Sequence, residues 1–139
     1  MQDPIDTPEW HDDVVDQFRR TGGTVEPYGR ILVLLHHYGA RSGAERVTPI
    51  VGIRDSDHWL IAASRRGAPK NPSWFYNLLA HPDAEIETPD HGLVEVHATR
   101  LLGTERDDGW SRFTDLSPVF AQYQAKTSRL IPVLRLTLR

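Results

Sequence analysis

HWLIAASRRGAPKNPSWFYN, residues 58–77, places three structural signals in direct succession. Trp59 to Ala63 is a short apolar run whose length and flanks read as a buried strand, since periodicity alone does not separate a buried strand from a buried helix. Ser64-Arg65-Arg66-Gly67-Ala68-Pro69-Lys70 follows, where glycine and proline oppose regular structure and three cations gather. Asn71 then reads as an N-cap and Pro72 as the first helical residue, so a helix is expected over residues 72–80. A strand, a cationic loop and a helix N-terminus in sequence can form an anion site, because free N–H groups and the positive end of the helix dipole point at the loop. The same letters also read as a solvated loop before a core helix. The stretch alone leaves both open.

Upstream, Gly29 to Tyr38 (GRILVLLHHY) is apolar on both faces and reads as a central strand. The glycine-bounded link Gly39–Ala44 leads hairpin-fashion into a second strand, Glu45 to Arg54, and Asp55-Ser56-Asp57 turns into the third. Residues 1–8 read as a flexible leader, and residues 9–139 as one domain. From Glu9, Trp10, Val14 and Phe18 recur at helical spacing until Thr21-Gly22-Gly23. The opposite face of that helix is acidic, which suits a helix docked on the domain and not a basic membrane-surface helix.

Downstream, His81-Pro82-Asp83 stops the helix, and residues 84–88 and 93–102 form a hairpin. Within it Val94, Val96 and Ala98 alternate with Glu95, His97 and Thr99, so one face is wet. Thr104 is expected to cap a helix ending near Leu116, with Trp110 and Phe113 inward, and Ser117-Pro118 to open another through Gln124. Residues 131–139 alternate as a half-buried strand. The expected fold class is α+β, mainly β: about six strands, mostly antiparallel and hairpin-linked, with peripheral helices. Such strands avoid open edges by closing into a barrel.

Composition narrows the function. A chain of 139 residues with no cysteine has neither disulfides, thiolate nucleophiles nor cysteine metal sites. A cytoplasmic address fits this, as does the lack of a long apolar run. The formal net charge of −3 argues against general nucleic-acid binding. Its distribution says more, because residues 1–20 hold six acids against two arginines, whereas residues 30–76 hold seven cations against three acids. A basic middle in an acidic protein suits a local anionic ligand.

No nucleophile elbow, Walker loop, Rossmann fingerprint or zinc-protease helix is present. His36 and His37, adjacent in a strand, point to opposite faces and cannot chelate one ion, so no metal site is expected. An enzyme without a chemical nucleophile of its own borrows its chemistry from a cofactor.

Gly39-Ala40-Arg41-Ser42-Gly43-Ala44-Glu45-Arg46-Val47-Thr48-Pro49 resembles the Gly-x-[Lys/Arg]-[Ser/Thr]-Gly-x-x-Arg-x-x-Pro signature of the deazaflavin-dependent nitroreductase family. Ala62-Ala63-Ser64 with Lys70-Asn71-Pro72-Ser73-Trp74 and Asn77-Leu78 resembles its second signature. Tyr123-Gln124, Arg129 and Ile131-Pro132 resemble its C-terminal segment. The likeness runs from about Arg30 to Leu136, in order and spacing.

The resemblance implies a split β-barrel that binds the 8-hydroxy-5-deazaflavin called coenzyme F-420 and passes its hydride to a quinone, nitroaromatic or enone. FMN fits less well, because the coenzyme's phosphate and oligoglutamate tail call for many cations. By resemblance, Arg41, Ser42, Gly43 and Arg46 meet the phosphate and tail, with Arg65 widening the positive field. Val47, Thr48 and Pro49 line the ring, Ala62, Ala63 and Ser64 pass under it, and Asn71, Pro72, Trp74 and Asn77 close the pocket. Ser64 and Tyr123 are the implied catalytic groups. At the substrate wall, beside Tyr123, the sequence departs from the best-known pattern: Val51, Ser117 and Phe120 stand where that pattern has tyrosines. A binding module without turnover, for a deazaflavin, a flavin or a lipid-like molecule, uses the same barrel. The residues leave the acceptor and the oligomeric state open, and a membrane quinone would bring the protein to the membrane surface.

Overall fold

The computed structural model describes residues 8–139, so the expected leader, apart from Pro8, lies outside the described residues. Helix α1 (Pro8–Thr21) is followed by strands β1 (Leu32–Tyr38), β2 (Glu45–Val51), β3 (Ile53–Asp55) and β4 (His58–Ala62). Helix α2 (Ser73–Ala80), the hairpin β5 (Asp83–Thr88) and β6 (Gly92–Arg100), helices α3 (Gly103–Leu116) and α4 (Val119–Ala125), and strand β7 (Val133–Leu138) complete the chain.

The described strands form one antiparallel sheet of seven, in the order β2-β1-β5-β6-β7-β4-β3. The expected second strand, Glu45 to Arg54, is therefore two strands, and they occupy opposite edges of the sheet. Gly52 is the break. Its N–H leaves the ladder to donate to the Ile31 carbonyl at 2.9 Å. A Cβ there would meet the Val33 methyls at 3.0–3.1 Å, so the turn is packed too closely for a larger residue. Because one residue separates the two edge strands, the sheet has to curl until its edges approach. That covalent constraint produces the split barrel.

The curl creates two apolar clusters. Inside it, Val33 and Leu35 of β1 meet Trp59, Ile61, Ile86, Val96, Leu134 and Leu136, with Trp74, Phe75 and Leu78 of α2 closing one end. On the other side of β1, Leu32 and Leu34 meet Val51, Leu60 and Val133 beneath Val14 and Phe18 of α1, Phe113 of α3, and Phe120 and Tyr123 of α4. Strand β1 is thus covered on both faces, as its unbroken apolar run implies. On β6, Val96 and Ala98 are buried while Glu95, His97 and Thr99 are exposed, as the alternation predicts.

Three helix starts differ from expectation, and at α4 Pro118, not Ser117, holds the cap position. Pro72, not Asn71, holds the cap position of α2 with an extended backbone and makes no side-chain cap. Leu102, not Thr104, precedes α3. Asn71 is drawn off because its carboxamide oxygen accepts a stronger, charge-assisted bond from Arg129 at 2.6 Å.

Candidate functional site

The site is built from two loops anchored around α2. The first, Gly39 to Ala44, joins β1 to β2. Gly39 N–H donates to Ala44 O at 2.9 Å and Gly43 N–H to Gly39 O at 2.8 Å, closing a tight turn that needs Gly43 at φ +70°. Ala44 N–H donates to Ser42 Oγ at 3.1 Å. The turn is held from below, where Ala40 N–H donates to Asn77 Oδ1 at 2.9 Å. With its oxygen occupied, Asn77 presents its amide N–H to His37 Nδ1 at 3.0 Å. His37 then carries its proton on Nε2, which donates to Thr48 Oγ1 at 2.8 Å. This post is interior, with His37 2% and Asn77 7% exposed.

His36, the adjacent residue, faces the other way and bonds to Glu45 and Glu87. The two imidazoles are on opposite faces, as strand geometry requires.

The second loop, residues 63–72, runs from the end of β4 to α2. It makes a single tight turn over Arg65–Gly67 in which three successive residues have positive φ: Arg65 at 42°, Arg66 at 56° and Gly67 at 79°. For the two arginines the left-handed conformation costs roughly 1–2 kcal/mol each. Gly67 is obligatory for a second reason, since a Cβ there would lie 2.6 Å from the Tyr123 carbonyl oxygen. The arginine at 129 grips this loop with four donors, described below. A cavity of about 370 Å³ opens against Arg65, Arg66, Ala68, Pro69 and Lys70.

Two groups stand out among the cations. Arg19, Arg20, Arg30, Arg112, Arg135 and Arg139 are each paired with a carboxylate. Arg41, Arg46, Arg66 and Lys70 have no hydrogen bond or ion pair among the described residues, and all four are exposed on or beside the two loops. Leaving several like charges unpaired on two neighbouring loops does nothing for the fold, and it suits an anion.

The residues singled out from sequence therefore sort into a rim and a floor. Arg41, Ser42, Gly43, Arg46 and Arg65 form the exposed rim, while Pro49, Ala63, Ser64, Pro72, Trp74 and Asn77 are buried beneath it. Val47, Thr48, Ala62 and Asn71 are half-buried between. The strand register puts Thr48 on the His37 face of β2, with Val47 and Pro49 on the other. Val51, Ser117, Phe120 and Tyr123 are brought to the same side of the sheet, and none of them forms an open wall. Phe120 is 0% and Tyr123 3% exposed, with Phe113 and Phe120 in edge-to-face contact at 5.3 Å. Ser64, at 1% exposed, is likewise interior.

Three residues that matter here escape a reading from sequence. His37, weighed there only as a metal ligand, is the post under the first loop. Arg129 stood in the closing motif without a role. Gln124 joins α4 to the Arg129 segment, donating to Arg129 O at 2.7 Å and accepting from Ile131 N at 3.1 Å. Arg129 and Gln124 give only a polar side chain in a motif as a signal, and His37 only a histidine in an apolar strand.

The donor set suits a cofactor with an anionic tail: guanidinium and ammonium groups are free, and the neighbouring floor is apolar and closely packed. Residues 10–137 match the family model described as F420H(2)-dependent quinone reductase. An F420H(2)-dependent quinone reductase of Mycobacterium tuberculosis (strain ATCC 25618 / H37Rv) is 36% identical over 112 residues, 77% of this chain and 73% of the relative. A solved structure described as F420-H2 dependent reductase (FDR-A) is 36% identical with a TM-score of 0.71, covering 77% of this chain and 94% of its own. Another, described as a domain-swapped dimer, is 35% identical with a TM-score of 0.73, covering 94% and 99%. Both signature loops and the closing segment lie inside the matched span, and this chain belongs to the F420H(2)-dependent quinone reductase family.

Proposed function

We propose that this protein is an oxidoreductase that takes a hydride from reduced coenzyme F-420 and delivers it to a quinone or a similar activated acceptor. The observation that carries the reading is the set of unpartnered cations, Arg41, Arg46, Arg66 and Lys70, on and beside two loops built around α2. When bound, the coenzyme supplies the hydride. The chain's own work is binding, orientation and exclusion of water. Arg41 and Arg46, with Ser42 and Gly43, hold the phosphate and tail through forked, permanently charged donors. Arg65, Arg66 and Lys70 extend the positive field.

Val47, Thr48 and Pro49 with Ala62, Ala63 and Ser64 shape the floor for a flat ring, and Asn71, Pro72, Trp74 and Asn77 close it. The hydroxyls of Ser64 and Tyr123 are the groups able to donate to an acceptor oxygen as charge develops there. Both side chains are covered in this conformation, so an acceptor has to part the seam where Gly67 packs on Tyr123. Val51, Ser117 and Phe120 back that seam and set its width. No helix among the described residues is long and apolar enough to cross a membrane. The protein acts from the cytoplasm, meeting a membrane quinone at the surface where that is the acceptor.

The test is reoxidation of F-420H2 by menadione with and without the protein, alongside fluorescence titration of oxidised F-420 and of FMN. Catalysed reoxidation with tighter binding of F-420 than FMN is expected. Tight binding with the uncatalysed rate would make the chain a carrier, and equal affinity for both cofactors would remove the assignment.

A further inference from the structure

The turn at Arg65 and Arg66 is strained and exposed, so something outside it has to hold it. The backbone bonds within the turn, Gly67 N–H to Ser64 O at 2.8 Å and Ala68 N–H to Arg65 O at 3.0 Å, are the ordinary closures of a tight turn and do not force left-handed arginines. Residues kept in sparsely populated backbone conformations persist where the surroundings over-determine them.

The turn packs on α4, where Gly67 meets the Tyr123 backbone, and one side chain, Arg129, spans the loop from end to end. Arg129 Nη1–H groups donate to Ala63 O at 3.0 Å and Asn71 Oδ1 at 2.6 Å, Nη2–H to Ser64 O at 2.9 Å, and Nε–H to Ala68 O at 2.9 Å. The planar fork thus reaches both ends of the loop at once. It ties the end of β4 and the Ala68 carbonyl to Asn71, two residues before α2. Arg129 is itself fixed from behind. Gln124 of α4 holds the backbone at Arg129 and Ile131, and the buried Arg106 of α3 donates to Ile131 O at 2.8 Å and to Gln124 Oε1 at 3.3 Å. Two helices are thereby joined, through one guanidinium, to the loop that bears Arg65, Arg66 and Lys70.

We propose that Arg129 is a positioning residue whose guanidinium holds the strained loop 64–71 in the shape that presents Arg65, Arg66 and Lys70 to the anionic part of the cofactor. This rests on the functional reading above. Arginine is required because the four oxygens it serves lie around a loop, and an ammonium group cannot address them together. Burial lowers its pKa from the ordinary value, with Tyr76 opposing that shift and Arg65 adding to it; a guanidinium keeps its charge under such pressure.

The test compares the full-length parent with Arg129→Gln, Arg129→Lys and Gln124→Met by hydrogen exchange without cofactor, thermal unfolding and F-420 titration. In Arg129→Gln the Gly67 and Ala68 amides should exchange at least tenfold faster while β1 and β5 amides keep their protection. The dissociation constant for F-420 should rise about tenfold. Arg129→Lys should behave like Arg129→Gln, because charge without the fork does not hold the loop. Gln124→Met, which touches neither loop nor cavity, should shift exchange the same way by less. Parental exchange and affinity in Arg129→Lys would overturn the proposal, since charge alone would then suffice. Faster exchange throughout the sheet with a lowered melting temperature would also overturn it, making Arg129 a general stabiliser. A parent that does not bind F-420 would remove the functional reading, while the exchange data would still decide whether Arg129 holds the loop.

Discussion

Two charged regions of this protein use the same side chains to opposite ends. On the outer face of β1 and β5, charges are matched. Arg19 donates to both oxygens of Glu87 at 3.2 and 2.7 Å, and His36 bridges Glu87 and Glu45 at 2.7 and 3.2 Å. Tyr38 donates to Glu85 at 2.5 Å, which pushes the phenol up to about 12, and Arg139 completes that pair. On and beside the two loops, Arg41, Arg46, Arg66 and Lys70 have no such partner. A cation answered by a carboxylate serves the fold, whereas one left in water beside a groove is available to a ligand. The comparison also separates two kinds of strain, because the rim is where left-handed arginines occur and the matched face has none.

The largest effect expected from breaking the comparison is on the rim. Each charged contact of the Arg41 and Arg46 type is worth roughly 1.5–3 kcal/mol. The double change Arg41→Ala with Arg46→Ala should therefore weaken F-420 binding by about a hundredfold or more. The melting temperature should stay near the parent's, since neither side chain has a partner to lose. Parental affinity should also fall with added salt, because the Debye length shrinks from about 10 Å at 0.1 M to about 3 Å at 1 M. A double variant that binds like the parent would reduce the rim to a solvated surface.

The matched face should respond the other way. Burial pushes the Glu87 carboxyl up, but hydrogen bonds from Arg19 and His36 outweigh it, so its pKa lies below the ordinary carboxylate value. A depressed carboxylate contributes stability that is present above its unfolded pKa and lost as pH falls through the folded one. Glu87→Gln should cost about 1–2 kcal/mol in urea unfolding at neutral pH and flatten the acid limb of the stability curve. F-420 affinity should not change. If binding fell as far as stability, the two regions would not be separable.

The smallest effect has the most informative sign. Arg66 combines an unpartnered charge with φ +56°. Arg66→Gly should relieve backbone strain and raise stability by about 0.5–1 kcal/mol, the gain being trimmed by the freer unfolded chain. It should at the same time weaken F-420 binding by about threefold. A variant less stable than the parent in urea would show that the turn is not strained at this residue.

Much of the molecule follows from local chemistry. The apolar run at β1, the alternation on β6, the α1 stripe of Trp10, Val14 and Phe18, and the Gly39–Ala44 turn depend on side-chain periodicity and on residues a few positions apart, so the sequence alone determines them. It also determines the family, because the two signature loops and the closing segment are short stretches in fixed order and spacing. What only the tertiary structure decides involves partners distant in the chain. Gly52 sends two parts of one apparent strand to opposite edges because the sheet must close. Asn71 gives up the helix cap because Arg129, 58 positions away, is the stronger partner. Phe120 and Tyr123 look in sequence like an aromatic wall on one helix face, yet packing against Phe113 and Val51 turns that face inward. A cation's role is decided in the same way. The sequence shows that Arg46 and Arg19 are both arginines, and only the fold brings Glu87 to one and leaves the other facing water.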